Sequence, residues 1–135
     1  MTALALDSSA VVAWVIQEAA RWRIVDDVIR HPQAEVILPG PVITETINVA
    51  RRRGNTSSPQ LLLETFKAVG MRSEAPTETD LVRAAELLAL SESLSLGDAL
   101  ILSVTERLDI PIVTLDRYWL ELQRDDHTTA QVHVL

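Results

Sequence analysis

Four carboxylates stand where an α/β chain can put them to chemical use. Asp7 follows the apolar run at 3–6 and Asp116 follows the run at 110–115, while Glu45 lies in the segment PGPVITE and Asp98 in SLGD. Open parallel sheets place their ligands beyond the carboxyl ends of the strands, and the helices that follow start at that same edge. Acids from four distant segments can therefore meet in one pocket. Carboxylates packed together repel, and they stay ionised only when a cation neutralises them. A hard divalent ion, Mg2+ or Mn2+, takes oxygen ligands, keeps several waters and supports hydrolysis of a phosphodiester. Thr114, two residues before Asp116, points to the same side of its strand. Its hydroxyl, like those of Ser8 and Ser9, is placed to hold a carboxylate or a metal-bound water.

Taken singly, each acid also has an ordinary reading. Asp7 before Ser8-Ser9 suits a helix N-cap, and Glu45 suits the positive end of a helix dipole. Asp98 lies three residues after Ser95, as in a capping box, and Asp116 can cap the helix carrying Tyr118 and Trp119. What sets the four apart is their joint occurrence, in this order, each against an apolar pattern.

The elements that must position them follow from hydrophobic period and punctuation. A strand at 3–6 leads into a helix carrying Val11, Val12, Trp14, Val15 and Ile16. A second helix spans 19–30, with Trp22, Ile24, Val25, Val28 and Ile29 as its buried side, and His31-Pro32 stops it. A strand at 35–38 precedes Pro39-Gly40-Pro41, where Pro41 suits the first helical position. That helix ends in Arg51-Arg52-Arg53, and Gly54 caps it. Further helices are expected at 60–69, from the Thr77/Asp80 capping box onward, from Leu96-Gly97-Asp98 to Leu108, and around Tyr118–Leu122. Short strands are expected at 71–75, 110–115 and 132–135. Strands separated by helices predict an α/β fold with a largely parallel sheet, in a single domain over 1–135.

Composition narrows the chemistry. The 135 residues are 47 % hydrophobic and 23 % charged, which excludes a disordered chain, and the absence of cysteine excludes disulfides, thiolate metal sites and a cysteine nucleophile. The apolar stretches fall short of a membrane span and the first residues lack a signal-peptide pattern, so a soluble cytoplasmic chain is expected. There is no GxGxxG, no GxxxxGK[ST] and no GxSxG. His31, His127 and His133 lack metal-ligand spacing and read as surface residues. Catalysis is left to carboxylates.

With these residues in place, the chain resembles a PIN-domain nuclease, most closely the VapC-type toxins of bacterial toxin–antitoxin systems. The resemblance runs over essentially the whole chain. LALDSSAVVAWV matches the family's opening strand, Asp and small hydroxyl residue at Asp7; ILPGPVITETINVARRRG supplies the Glu at Glu45; SLGDALILSVTERLDIPIVTLDRYW supplies Asp98, Thr114 and Asp116, with Tyr118-Trp119 in the aromatic position. Ser103 and Thr105 stand where alanines are expected, and Gly40 where a serine often precedes the Glu helix. The resemblance implies a three-layer α/β/α fold and a Mg2+- or Mn2+-dependent endoribonuclease. Asp7 and Asp98 would be the principal metal ligands, with Glu45 and Asp116 completing the acidic site and one acid helping to deprotonate the attacking water. It also implies a homodimer and a cognate VapB-type antitoxin that blocks the site.

Other readings compete with this one. A PIN-type nuclease could serve RNA processing without an antitoxin, and a catalytically silent α/β binding module would not need all four acids. A signalling receiver domain wants a lysine after its last strand, whereas the only lysine is Lys67; a haloacid-dehalogenase-type phosphatase wants an acid where Ser9 stands. Arg51, Arg52 and Arg53 read equally as an RNA clamp or a solvated helix end. The apolar surface around Trp14 and Trp22 suits core, dimer contact or antitoxin groove. The net charge of −7, from 19 acids and 12 bases, argues at first against a nucleic-acid partner. Setting the four site acids aside leaves 15 acids against the 12 bases, so much of the acidity is the site itself. RNA contact must then depend on local basic patches.

Overall fold

The computed structural model describes residues 2–135. Five parallel strands form one sheet: β1 (Thr2–Leu6), β2 (Ala34–Pro39), β3 (Arg72–Glu74), β4 (Ile112–Thr114) and β5 (Val132–Val134), in the order β3-β2-β1-β4-β5. Seven helices cover its faces in a three-layer α/β/α arrangement: α1 (Ser8–Val15), α2 (Arg21–Arg30), α3 (Gly40–Arg52), α4 (Pro59–Ala68), α5 (Glu78–Leu90), α6 (Leu96–Leu108) and α7 (Tyr118–Arg124). The central strand β1 pairs Ala5 with Ile37 on one side and with Ile112 on the other, and Ala5 and Leu6 are fully buried. Burial on both faces is why this strand reads as an unbroken apolar run. Strand order reverses direction between β1 and β4, so the carboxyl ends of these two strands flank the sheet's topological switch point.

The core runs from β1 and α1 through Phe66 on α4 to Leu87 on α5, Ile101 and Leu102 on α6 and Trp119 on α7. Helix α3 packs against α1 and α6, and α5 lies along α6. The expected capping box is present at α5, with Thr77 Oγ1 accepting from Asp80 N while Asp80 accepts from Thr77 N. Gly54, at φ 95°, closes α3 in the left-handed conformation. Ser103 and Thr105 turn their hydroxyls back onto the Ala99 and Leu102 carbonyls, so these buried polar groups are satisfied within α6. Among the described residues no helix is long and apolar enough to cross a membrane.

Several details depart from the sequence reading. Helix α2 starts at Arg21 because Gln17 and Ala19 both take positive φ, which interrupts any helix from 19. Pro41 is the second helical residue and Gly40 the first. Ile24 fits the apolar period of α2 but is 46 % exposed, since the buried stripe follows Val25 and Ile29. Asp26, on the polar side of α2, accepts a 2.9 Å hydrogen bond from the Trp14 indole and another from Arg30, which together hold its carboxyl below the usual range.

Candidate active site at the carboxyl edge of the sheet

Asp7 leaves the end of β1 and caps α1, accepting from Ala10 N at 3.1 Å. The capping role is therefore real, but it uses only part of the carboxylate. Oδ1 also accepts from Ser9 Oγ at 2.7 Å, and Oδ2 accepts from Thr114 Oγ1 at 2.6 Å. Thr114 is the last residue of β4, so this bond ties the two strands of the switch point together. Asp7 is only 3 % exposed. Burial raises its pKa despite the hydrogen bonds from Thr114, Ser9 and Ala10 that favour the ionised form.

Two hydroxyls carry this order into the loop after β4. Ser9 Oγ accepts from Leu115 N at 3.1 Å, and Thr114 Oγ1 accepts from Asp116 N at 2.9 Å. Asp116 is exposed, and its Oδ1 accepts from Tyr118 N in a local turn that starts α7. On the other flank, Ser8 Oγ donates to Glu45 Oε2 at 2.8 Å. Glu45 is the sixth residue of α3, and no acid lies in that helix's first turn. A dipole role is weak so far along, because the effect fades within one turn. What holds Glu45 in place is Ser8.

Asp98 sits in the first turn of α6, where Ser95 caps the helix and accepts from Asp98 N at 3.1 Å. Its carboxyl is pushed up to about 6, chiefly by burial, then by the charge of Glu45, with smaller contributions from Asp7 and Asp116 and a partial offset from Ser95. Asp98 thus feels the charge of the other three acids, and Asp7 that of Asp116. None of them takes part in an ion pair among the described residues. Gly97, which the sequence reading passed over, belongs to the same site. A Cβ added there would fall on the Glu45 carboxylate. The signal was its place beside Asp98, but the partner 52 positions away could not be read from sequence.

A divalent ion suits this donor set, which consists of carboxylate and hydroxyl oxygens with negative charge left unbalanced. Among the described residues no three acidic or histidine side chains gather into a ready-made cage. The acids instead grade from buried Asp7 through half-buried Glu45 and Asp98 to exposed Asp116, a mouth open to solvent on one side, as fits a cation that keeps several waters and binds through one or two carboxylates. Asp7 and Asp98 are the two acids whose ionised forms are disfavoured, so they gain most from a cation. Of the three arginines singled out, Arg51 and Arg52 lie in the last turn of α3 and Arg53 caps it. Only Arg53 reaches the cleft that Ser8 and Ser9 line.

Comparison with known proteins bears on the family and the fold. The PIN domain family profile matches residues 4–125. Among solved structures, the chain is similar to VapC20 of Mycobacterium tuberculosis, described as a sarcin–ricin loop cleaving toxin, at 19 % identity and a TM-score of 0.74, covering 87 % of this chain and 93 % of that one. It is also similar to VapBC2 of Rickettsia felis bound to a promoter DNA fragment, at 12 % identity, TM-score 0.72 and 98 % coverage of both chains. A third is VapBC-1 of nontypeable Haemophilus influenzae, at 14 % identity, TM-score 0.65 and 98 % coverage of both. At these identities the likeness is one of fold. No curated protein sequence matches the chain.

Proposed function

This chain belongs to the PIN-domain family, and on that premise we propose that it is an endoribonuclease toxin, working with Mg2+ or Mn2+ and restrained by a cognate antitoxin. One observation carries the reading: four carboxylates from four segments gather at the sheet's switch point, Asp7 held by Ser9 and Thr114, Glu45 by Ser8, and Asp98 under the charge of the other three, with no base paired to any of them. A site with only a capping role would not need to concentrate so much uncompensated charge.

Asp7 and Asp98 are the residues to hold the cation. When bound, a divalent ion supplies positive charge against the scissile phosphate and makes water more acidic. The chain's own groups do the rest. Thr114 and Ser9 fix the Asp7 carboxylate from both oxygens, so it does not have to reorganise when RNA arrives. Ser8 orients Glu45, and the Tyr118 amide orients Asp116, at the rim of the same mouth. In the hydrolysis, a water oxygen bonds to phosphorus in line with the departing ribose oxygen. One of the site acids takes the proton released by that water, and the leaving oxygen gains a proton in turn. The solved complexes whose fold the chain shares support the antitoxin as a further part of this reading, and the family resemblance adds a homodimer.

The test is cleavage of RNA by the purified protein in Mg2+ or Mn2+, against EDTA and against Asp7→Asn and Asp98→Asn. Loss of cleavage in EDTA and in both variants is the expected result. Full activity in both variants would remove the site assignment.

A further inference from the structure

Beside the acidic mouth lies a cleft of about 250 Å³ whose lining includes Ser8, Ser9, Glu18, Arg21, Val49 and Arg53. Its two hydroxyls are the ones that hold Glu45 and Asp7, so the cleft and the mouth share a wall. Glu18 is met there by Arg21 Nη1 at 3.3 Å and by Arg53 Nη1 at 3.8 Å. The two guanidiniums come from different elements, the first residue of α2 and the cap of α3. Arg21 Nη2 also points to the Leu115 carbonyl, at a long 3.5 Å, next to Asp116.

The charge balance here differs from every other ion-paired arginine among the described residues. Arg30 has Asp26, while Arg72, Arg83 and Arg107 each meet two acids. Arg21 and Arg53 share Glu18 alone, which leaves one positive charge in excess. The turn that delivers Glu18 is strained, since Gln17 and Ala19 on either side have φ of 52° and 37°. Neither residue is one that favours that region, and strain of this kind persists where the surroundings fix it. Both arginine side chains remain about half exposed, at 49 % and 56 %.

We infer that Arg21 and Arg53 form a phosphate-binding lip for the RNA strand entering the acidic mouth, with Glu18 as an internal anion that holds both guanidiniums until a backbone phosphate replaces it. The identity of the strand rests on the ribonuclease reading; the lip itself rests on the cleft. A mouth of four acids repels RNA, so the strand needs positive charge just outside it. Arginine forks match phosphate oxygens two at a time, and exposed pairs such as those with Glu18 are weak enough to exchange. Arg51 and Arg52 belong to the same basic run but do not line the cleft.

The experiment measures binding of a labelled, mixed-sequence single-stranded RNA across a salt series in Mg2+, in an Asp98→Asn background, with a gel reporting whether the RNA is cut. Arg21→Gln and Arg53→Gln should each lower the slope of log K against log salt by about 0.7, and the pair by about 1.4, as for one and two lost phosphate contacts on a single strand. Glu18→Gln should tighten binding, and Arg30→Gln should change nothing. An unchanged slope in the double variant, with RNA still bound, overturns the lip and leaves the ribonuclease reading intact. Cutting that survives Asp98→Asn overturns the catalytic assignment, while the slope losses would still establish the lip. Failure of the protein to bind RNA at any salt overturns both.

Discussion

Helix α6 carries a cluster of acids at each end, and the two ends treat them in opposite ways. At its start, Asp98 faces Glu45, Asp7 and Asp116 with no arginine among them, and burial and like charge push its carboxyl up to about 6. At its finish, Glu106 receives Arg83 through Nε at 2.8 Å and Nη2 at 3.2 Å, and Thr128 Oγ1 donates to it at 2.6 Å. Burial alone would raise Glu106 too, but Arg83 and Thr128 outweigh it and its pKa falls. The next residue, Arg107, donates through Nε to the buried Asp80 at 2.9 Å, and its Nη2 reaches Glu74 at 3.2 Å. Asp80, Arg83, Glu106 and Arg107 line the hollow of about 540 Å³ between α5 and α6, roomier than the cleft at the acidic mouth, yet its charges are already paired with one another. Size does not mark the proposed active site; unbalanced charge does. One end of the helix pairs its acids with arginines, and the other leaves them unpaired, as the proposed cation site requires.

If that contrast is right, the same kind of substitution has opposite effects at the two ends. Asp98→Asn should reduce Mg2+-dependent cleavage by about 10²–10³-fold, the scale of losing one preorganised electrostatic contact. The same change should stabilise the metal-free protein near neutral pH by about 1 kcal/mol, a figure discounted for partial exposure. Thermal unfolding in EDTA checks the second claim, and a lower Tm for Asp98→Asn would break the comparison. At the far end, Asp80→Ala removes both the Arg107 pair and half of the α5 capping box. Urea unfolding should show a loss of about 2–3 kcal/mol. Cleavage per folded molecule should be unchanged, which separates structural acids from catalytic ones.

How much of this was legible in the sequence depends on the range of the interaction. Asp7 and Asp116 could be placed because a strand's end is a local fact, visible in LALD and TLD. The Thr77/Asp80 box and the Ser95 cap were legible for the same reason, with both partners within one turn. The helix and strand order followed from hydrophobic period, with boundaries off by a residue or two. The arginine pairing of Glu106 and Asp80 spans 23 and 27 positions and leaves no local trace. Nor did the Glu18 turn, because Gln17 and Ala19 lack the glycine or asparagine that normally announces a left-handed backbone. Asp26 and Ile24 show the limit of periodicity, which fixes a helix face but not what covers it. Arg53 could not be told from Arg51 and Arg52 until the end of α3 was set against α1 and α2.

Gly97 offers a finer test at the acidic end, since it changes geometry without changing charge. Gly97→Ala puts a methyl group where the Glu45 carboxylate now lies, so that carboxylate must move away from the mouth. Cleavage should fall about tenfold, in line with misplacing one supporting group. Stability should change little, because alanine gains about 0.5–1 kcal/mol in a helix and the displaced side chain offsets part of it. A variant with full activity would show that Glu45 is not needed in its present position, leaving Asp7, Asp98 and Asp116 to form the site.

The smallest expected effect is the dependence of stability on pH, and here the two ends pull in opposite directions over different ranges. Asp7 and Asp98 have folded pKa values above their unfolded value of 3.8, so the folded state binds more protons. Their contribution is fully present below about pH 4 and is lost as pH rises through the folded pKa of each, about 6 for Asp98. Glu106 has a folded pKa below its unfolded value of 4.5, so its contribution is present above that value and is lost as pH falls through the folded one. In EDTA the Tm should therefore be highest near pH 5 and fall toward pH 7.5, by an amount corresponding to about 1 kcal/mol after allowing for solvent screening. Mg2+ at pH 7.5 should restore much of that loss, because a cation binds the ionised acids that the folded state otherwise disfavours. Asp98→Asn should flatten the fall between pH 5 and 7.5 and leave the acid limb alone, whereas Glu106→Gln should weaken the acid limb and leave the fall above pH 5 in place. A fall above pH 5 that persists unchanged in Asp98→Asn would mean that the charge strain at the acidic end lies elsewhere than in Asp98.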